Sequence, residues 1–359
     1  MKLRPQLLIL ILISVGFFCL AASPAQGPAA FPPKSPVPSA SSTSTPSTLT
    51  ITHFNVGTGD ATLVLFNFYP KDNPNKTTQS VLIDGGDVQA AQKVVIPGLR
   101  KAHVTELKFA IATHYDPEHR DGLQTVITEI PMSMQGVVYD RDRGWPSIND
   151  VSSPVKTVEN QPLLAGSEII LGGEGDNRVV IKCVAANGAT ATWRYPRKGK
   201  DIDENAQSLA FLITFKKFSY FIGGDLTGGG KSGFRSTPDI ESAVAKEVGE
   251  VTVLRVNHHG SDTSSNQGFL AALNPSVAVI SSGKTPLNDR LFQWPSRKVL
   301  DRLTKLPRLT AIYITGQVAT LDGLTEEDKK KVKDVQGDIT ISTTGDGTFQ
   351  VNSTSFPPK

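Results

Sequence analysis

The chain has 359 residues, 38% of them hydrophobic and 20% charged, which supplies apolar material for one large core or two medium ones. A net charge of only +3 excludes a polycation that would hold nucleic acid through its overall field. With two cysteines, Cys19 and Cys183, one of them in the leader read below, an internal disulfide framework and a thiolate metal cluster are excluded as well.

Lys2 and Arg4 precede an apolar run from Leu7 to Leu20, followed by the small residues Ala21, Ala22, Ser23 and Ala25. That layout predicts a secretory signal peptide over residues 1–25, and the run is short for a membrane span. Cys19 lacks the small preceding residue of a lipid-attachment site. The implied address is secreted, or periplasmic in the cell envelope. Cleavage removes Lys2 and Arg4 from the 37 basic residues and leaves 35 against 34 acids, so any nucleic-acid case rests on a local patch. Residues 26–48 are Pro, Ser, Thr and Ala with almost no charge, and read as a disordered linker. One domain is predicted over residues 49–359.

In that domain, residues 49–56 alternate, Gly57-Thr58-Gly59-Asp60 makes a turn, and residues 61–65 return as a strand, which predicts a hairpin. Residues 69–78 are a polar loop, residues 80–83 a strand ending at Asp84-Gly85-Gly86, and residues 88–101 a helix. Residues 109–112 are an apolar strand leading to His114. Asp116-Pro117 starts a helix, with Asp as N-cap, Pro at the first position and Glu118 in the first turn. Strands follow at residues 136–139, 168–171 and 178–184, the last holding Cys183 as a core residue.

The loop from Trp193 to Lys200 interleaves bases with aromatics, which suits either phosphate contact with base stacking or plain solvation. Arg194, Arg197 and Lys198 are its candidate substrate contacts. Strands at 208–215 and 218–222 lead to Gly223-Gly224-Asp225, and a helix opens at Thr237-Pro238-Asp239. Another strand, 251–256, ends at Asn257-His258-His259-Gly260-Ser261. Residues 277–280 and 311–314 are strands, 296–306 a helix and 326–334 a charge-dense helix. A hairpin of 338–342 with 348–351 closes the chain. Strands mixed with helices predict an α/β architecture of stacked sheets with helices outside.

Asp84, His114, Asp225 and His258 each follow an apolar strand, and strands that end on one sheet edge bring such groups together. Four metal-capable side chains, His114, Asp116, Glu118 and His119, fall within six residues. Imidazoles and carboxylates without thiolates are the donor set of a catalytic, water-carrying zinc or manganese site. Taken singly, the aspartates beside glycines also read as turn residues and the histidine pair as a loop cap.

The segments Asn55–Ala61, Leu82–Gly86, Thr113–His119, Gly224-Asp225 and His258-His259-Gly260-Ser261 resemble the metallo-β-lactamase superfamily, in particular the hydrolase domain of ComEC-type DNA-uptake proteins. Asp203-Glu204-Asn205-Ala206-Gln207-Ser208-Leu209 matches that subgroup's Asn-x-x-Ser-Leu segment, and the resemblance covers residues 49–352 in consistent order. It implies a four-layer αββα sandwich with two divalent ions, zinc or manganese, at one sheet edge. His114 and Asp116 would bind one ion, Glu118 and His119 the other, with Asp225 bridging and His258, or alternatively His259, completing the set. Asp116 and Asp225 would serve catalysis with metal-bound hydroxide as nucleophile. Asp84, Asp60, Asn205, Ser208 and His259 would support the ligands from behind, with Ser261 beside the substrate.

Two positions depart from the pattern: Glu118 stands where the superfamily usually has Asp, and Trp294-Pro295 where the subgroup has His-Pro. No histidine lies between His119 and His258, which argues against a three-histidine β-lactamase site. The membrane segments of the DNA channel are absent from this chain, so transport is not implied. The expected activity is an exported metal-dependent hydrolase of a phosphodiester in nucleic acid or a nucleotide. Its alternatives are a non-catalytic envelope binding module with a degraded site and a hydrolase of a non-nucleic ester or lactone.

Overall fold

A computed structural model describes residues 45–70, 75–141, 160–175, 177–196, 203–232, 235–283, 294–318 and 321–358. The predicted signal peptide, nearly all of the predicted linker, and Arg197 and Lys198 lie outside them.

In chain order the first strands are β1 (Thr48–His53), β2 (Thr62–Phe68), β3 (Thr77–Ile83), β4 (Leu107–Ile111), β5 (Met132–Asp140) and β6 (Asn160–Pro162). Next come β7 (Glu168–Gly172), β8 (Arg178–Ala185), β9 (Ala210–Phe215), β10 (Phe218–Ile222), β11 (Lys231–Ser232), β12 (Arg235–Ser236) and β13 (Val253–Arg255). The last are β14 (Val277–Ile280), β15 (Ala311–Ile314), β16 (Val332–Asp334), β17 (Ile339–Thr343), β18 (Phe349–Val351) and β19 (Thr354–Phe356). Nine strands form one sheet in the order β19-β18-β17-β1-β2-β3-β4-β5-β6, and eight form another in the order β16-β15-β14-β13-β10-β9-β8-β7.

The helices are α1 (Val88–Ala90), continued by a π-turn at Ala91–Val95 into α2 (Ile96–Lys101), then α3 (Pro117–Glu129) and α4 (Glu241–Val248). After them come α5 (Gln267–Leu273), α6 (Arg297–Thr304) and α7 (Glu326–Lys331).

Three apolar layers hold these elements together. Strand β1 alternates so that Leu49, Ile51 and His53 point inward, and with Phe66, Ile181, Phe211 and Tyr220 they belong to the layer between the sheets. A second layer packs Val95, Leu99, Leu123 and Val126 of the first helices on Leu63, Leu82 and Ala110. A third packs Val244, Phe269, Leu270 and Leu300 on Leu254, Ala278 and Ile312. The result is the four-layer αββα sandwich that the sequence implies. Strands β13, β14 and β15 are parallel and buried along their whole length, hence the apolar runs rather than alternation in β14 and β15 and, but for Arg255, in β13.

The charge-dense helix expected over 326–334 ends at Lys331. Val332, half-buried against the outer core, turns the chain into β16, which pairs parallel with β15. Strand β1 starts at Thr48, and Ser47 before it is buried. Short elements with little apolar content of their own, β6, β11, β12 and β19, were not anticipated, nor was α5, whose seven residues include a glycine. Among the described residues no helix is long and apolar enough to cross a membrane.

Candidate metal centre

The strands β3, β4, β10, β13 and β14 end on the same side of the two sheets, and the loops that follow them carry the candidate donors. Backbone hydrogen bonds lace two of those loops to each other and to the β1–β2 loop: Asp60 N–H donates to Glu118 O, Gly85 N–H to His119 O and Gly86 N–H to Asp60 O. Gly224 is left-handed (φ 53°), and a Cβ there would stand 2.8 Å from Thr113 Oγ1, so only glycine lets the β10 loop lie this close to the β4 loop.

Asp225 is the hub. Its Oδ2 lies 3.4 Å from His259 Nε2, 3.5 Å from His119 Nε2, 3.7 Å from His258 Nε2 and 4.0 Å from His114 Nε2. His119 Nε2 and His259 Nε2 are 3.3 Å apart. Two ligands held at about 2.1 Å on one tetrahedral ion stand about 3.4 Å from each other. The His119–His259–Asp225 triangle, with edges of 3.3, 3.4 and 3.5 Å, therefore has the dimensions of a tetrahedral face. The second group, His114, His258 and Asp225 with Asp116 Oδ2 3.5 Å from His114 Nε2, is looser. The donor set thus suits divalent metal.

Every imidazole is turned by a partner on its far nitrogen. Thr113 N–H and O–H both donate to Asp84, at 2.8 Å each. His119 Nδ1–H donates to Asp84 Oδ2 (2.9 Å), and His114 Nδ1 bonds Thr113 Oγ1 (3.0 Å). His259 Nδ1–H donates to the Ser281 carbonyl (2.7 Å), and His258 Nδ1 bonds Thr263 Oγ1 (3.2 Å). Each pairing points Nε2 at Asp225, the arrangement by which outer partners orient metal-binding histidines. Buried His114 Nε2, which faces Asp225 Oδ2, has no hydrogen-bond partner within the protein, a deficit that a divalent ion would satisfy.

Local backbone conformation serves this convergence. His258 (φ 48°, ψ 47°) and His259 (φ 54°, ψ 17°) are consecutive left-handed residues, and Asp84 is a third (φ 58°). Such conformations cost free energy in non-glycine residues and gather where the surrounding structure enforces them. Asp116 precedes α3 as expected, but its carboxylate makes no capping bond and faces His114 instead.

Electrostatics follow from burial and contact. Burial acts to raise the Asp225 pKa, yet His259, His119 and His258 around it draw it well below the usual carboxylate range. Burial acts to lower His119, but Asp225 and Asp84 on its two nitrogens push it well above an ordinary histidine. Burial depresses His258 and His259. The His114 imidazole, 3.5 Å away, draws Asp116 below its usual range, against its partial burial. The centre is open on one side only, where Asp116 is 37% and His258 15% exposed, whereas the other three imidazoles are essentially inaccessible.

Of the expected residues, His114, Asp116, His119, Asp225, His258 and His259 come together, with Asp84 behind two of them. Asn205 Nδ2 reaches His258 Nε2 at 3.2 Å, and Ser208 Oγ accepts from Asp225 N–H. Ser261 Oγ bonds Thr263 Oγ1, which makes it a neighbour of the His258 support. The Glu118 carboxylate makes no ion pair or hydrogen bond with the cluster among the described residues. Asp60, from the β1–β2 loop, joins the group of possible donors with His119, Asp225 and His259, their ligand atoms within 4.8 Å of one another. Arg194 is exposed on a hairpin turn. Trp294 stacks on His259, with ring centroids 5.5 Å apart and planes at 25°.

Arg255 was not foreseen. It is wholly buried and pairs with Asp60, and the signal available in the sequence was a lone base inside the apolar run Val253-Leu254-Arg255-Val256.

No family model matches the chain. The competence protein ComA of Neisseria gonorrhoeae is 28% identical over 225 residues, covering 62% of this chain and 26% of that protein. Recombination protein 2 of Haemophilus influenzae is 31% identical over 116 residues, covering 32% of this chain and 13% of that protein. The match therefore spans about a quarter or less of the length of either relative. Among solved structures, a diphosphatase from the PhnP family aligns at 12% identity and a TM-score of 0.42, covering 82% of this chain and 98% of that one. The metallo-β-lactamase fold protein YhfI of Bacillus subtilis aligns at 12% identity and a TM-score of 0.41, covering 75% and 97%. With two stacked sheets, helices on both outer faces and donors at the strand ends, the chain has the αββα architecture of a metallo-β-lactamase-like fold and is similar in sequence to parts of the competence protein ComA and of recombination protein 2.

Proposed function

We propose that this protein is an exported metal-dependent phosphodiesterase acting on nucleic acid or nucleotides with two divalent ions, zinc or manganese. The observation that carries the reading is the convergence of four imidazole Nε2 atoms on one oxygen of Asp225. His119, His259 and Asp225 would hold one ion, and His114, Asp116, His258 and Asp225 the other.

Charge supports two ions over one. Asp60, Asp84, Asp116 and Asp225 bring four negative charges and Arg255 one positive, a sum of −3 with neutral imidazoles. One divalent ion leaves the centre at −1, repelling an anionic substrate, whereas two bring it to +1. Ions held there would make water a nucleophile near neutral pH and neutralise charge developing on phosphoryl oxygens.

The protein's own part is placement. Asp84, Thr113, Thr263 and the Ser281 carbonyl keep the imidazoles turned before any substrate arrives, so little reorganisation is left for the reaction. Asp116 and His258 form the open wall, and a phosphodiester entering there meets the looser group first.

The test is turnover of single-stranded DNA and of a generic phosphodiester by purified protein with Mn2+ or Zn2+, beside elemental analysis. Two ions per chain and turnover that Asp225→Ala abolishes are expected. No bound metal would favour a binding module, and turnover of esters or lactones alone would move the substrate class.

A further inference from the structure

Arg255 lies directly beneath the centre and its role there is distinct from that of any ligand. The residue is entirely buried at the last position of β13, and four groups surround its guanidinium. Nη2 pairs with Asp60 Oδ2 and lies 3.5 Å from His259 Nδ1. Nη1 donates to the Gly224 carbonyl at 2.5 Å and lies 4.0 Å from Asp225 Oδ1. Gly224 is the residue before Asp225, so one planar fork grips the backbone leading to the hub and faces one of the hub's two oxygens.

The two oxygens of Asp225 therefore have different surroundings. Oδ2 faces the four imidazoles, whereas Oδ1 is buried, faces the guanidinium and has no hydrogen-bond partner within the protein. A carboxylate whose Oδ1 is held toward a fixed cation has a single oxygen left for metal. We propose that Arg255 is the positioning residue that keeps Oδ2 of Asp225, rather than Oδ1, turned to the four imidazoles as the oxygen offered to metal. The inference rests on the two-ion reading above and adds what selects that oxygen. Asp60 is the counter-charge that keeps the guanidinium in place, being 1% exposed and joined to it directly.

A purely architectural role is the competing explanation, since the pair ties the β1–β2 loop to the other sheet. Lysine separates the two. Arg255→Lys keeps the charge and can keep Asp60, but one ammonium cannot also span Gly224 O and the Asp225 side as a fork does.

The experiment titrates metal-free protein with Mn2+ and records electron paramagnetic resonance, with thermal unfolding as a control. For the parent, two ions and the spectrum of an exchange-coupled pair joined by one oxygen are expected. For Arg255→Lys, folded by the control, affinity for the second ion should fall about 10- to 100-fold. Its spectrum at saturation should become that of uncoupled ions. If Arg255→Lys does not fold, Arg255→Gln, which keeps a donor for Asp60 but cannot span Gly224 O as well, should show the same loss of coupling. A coupled pair bound as tightly in the variant as in the parent overturns the role of Arg255 and leaves the two-ion reading standing. A parent that binds fewer than two ions overturns both.

Discussion

Replacing Asp84 with Asn tests whether the residues behind the ligands control metal binding. Asp84 accepts three hydrogen bonds, from Thr113 N–H on Oδ1 and from Thr113 O–H and His119 Nδ1–H on Oδ2. The amide of Asn has one accepting oxygen, so whichever way it is turned at least one donor faces an NH2 group. If the NH2 takes the Oδ2 position, both His119 and the Thr113–His114 relay lose their anchor. Loss of such a partner costs about 10- to 100-fold in metal affinity, or about 1.4–2.7 kcal/mol. Leaving a buried donor unsatisfied costs the metal-free protein about 1–3 kcal/mol as well. The assay is competition for Zn2+ against a chromophoric chelator, with unfolding of metal-free protein in parallel. Asp84→Asn binding both ions within twofold of the parent would show that the imidazoles need no such anchor and refute the reasoning.

The two halves of the centre predict unequal affinities. Asp116→Asn should weaken one ion and leave the other, because the His119–His259–Asp225 triangle does not include it; calorimetric titration of the variant should retain its tighter step. His53, bonded to Thr62 and Tyr220, is held neutral by burial and by Arg255, with its pKa lowered from 6.5 to about 3. The unfolded chain takes up that proton below pH 6.5 and the folded one does not, so stability falls as pH drops from 6.5 toward 3, by about 5 kcal/mol at full extent. His53→Gln should flatten that slope in melts between pH 4 and 7. Gly260→Ala places a Cβ 2.6 Å from Pro295 Cβ at a residue with φ 80°, and should cost about 2–4 kcal/mol in denaturant titrations.

The sandwich and most of its strands were legible because parallel buried strands write themselves as apolar runs and the metal-facing residues follow those runs directly. Residues 277–280 and 311–314 needed no adjustment. What the sequence could not rank was the pair His258-His259. Adjacent residues on an extended backbone point to opposite sides, and only their consecutive left-handed conformation turns both rings to Asp225. Glu118 occupies the customary spacing, yet spacing does not report where a longer side chain on α3 will point. Asp60 and Arg255 are far apart in the chain and belong to different sheets, so their pairing was visible only in three dimensions. Arg197 and Lys198 lie outside the described residues, and their proposed contact with substrate rests on composition alone.

The donors divide between the sheets. Asp84, His114, Asp116 and His119 follow strands of one, whereas Asp225, His258 and His259 follow strands of the other. A cation held as proposed would draw on both sets and act as a rivet across the seam between them. Prying the layers apart would then mean giving up the ion, which would tie the chain's mechanical cohesion to the metal supply of whatever compartment it inhabits.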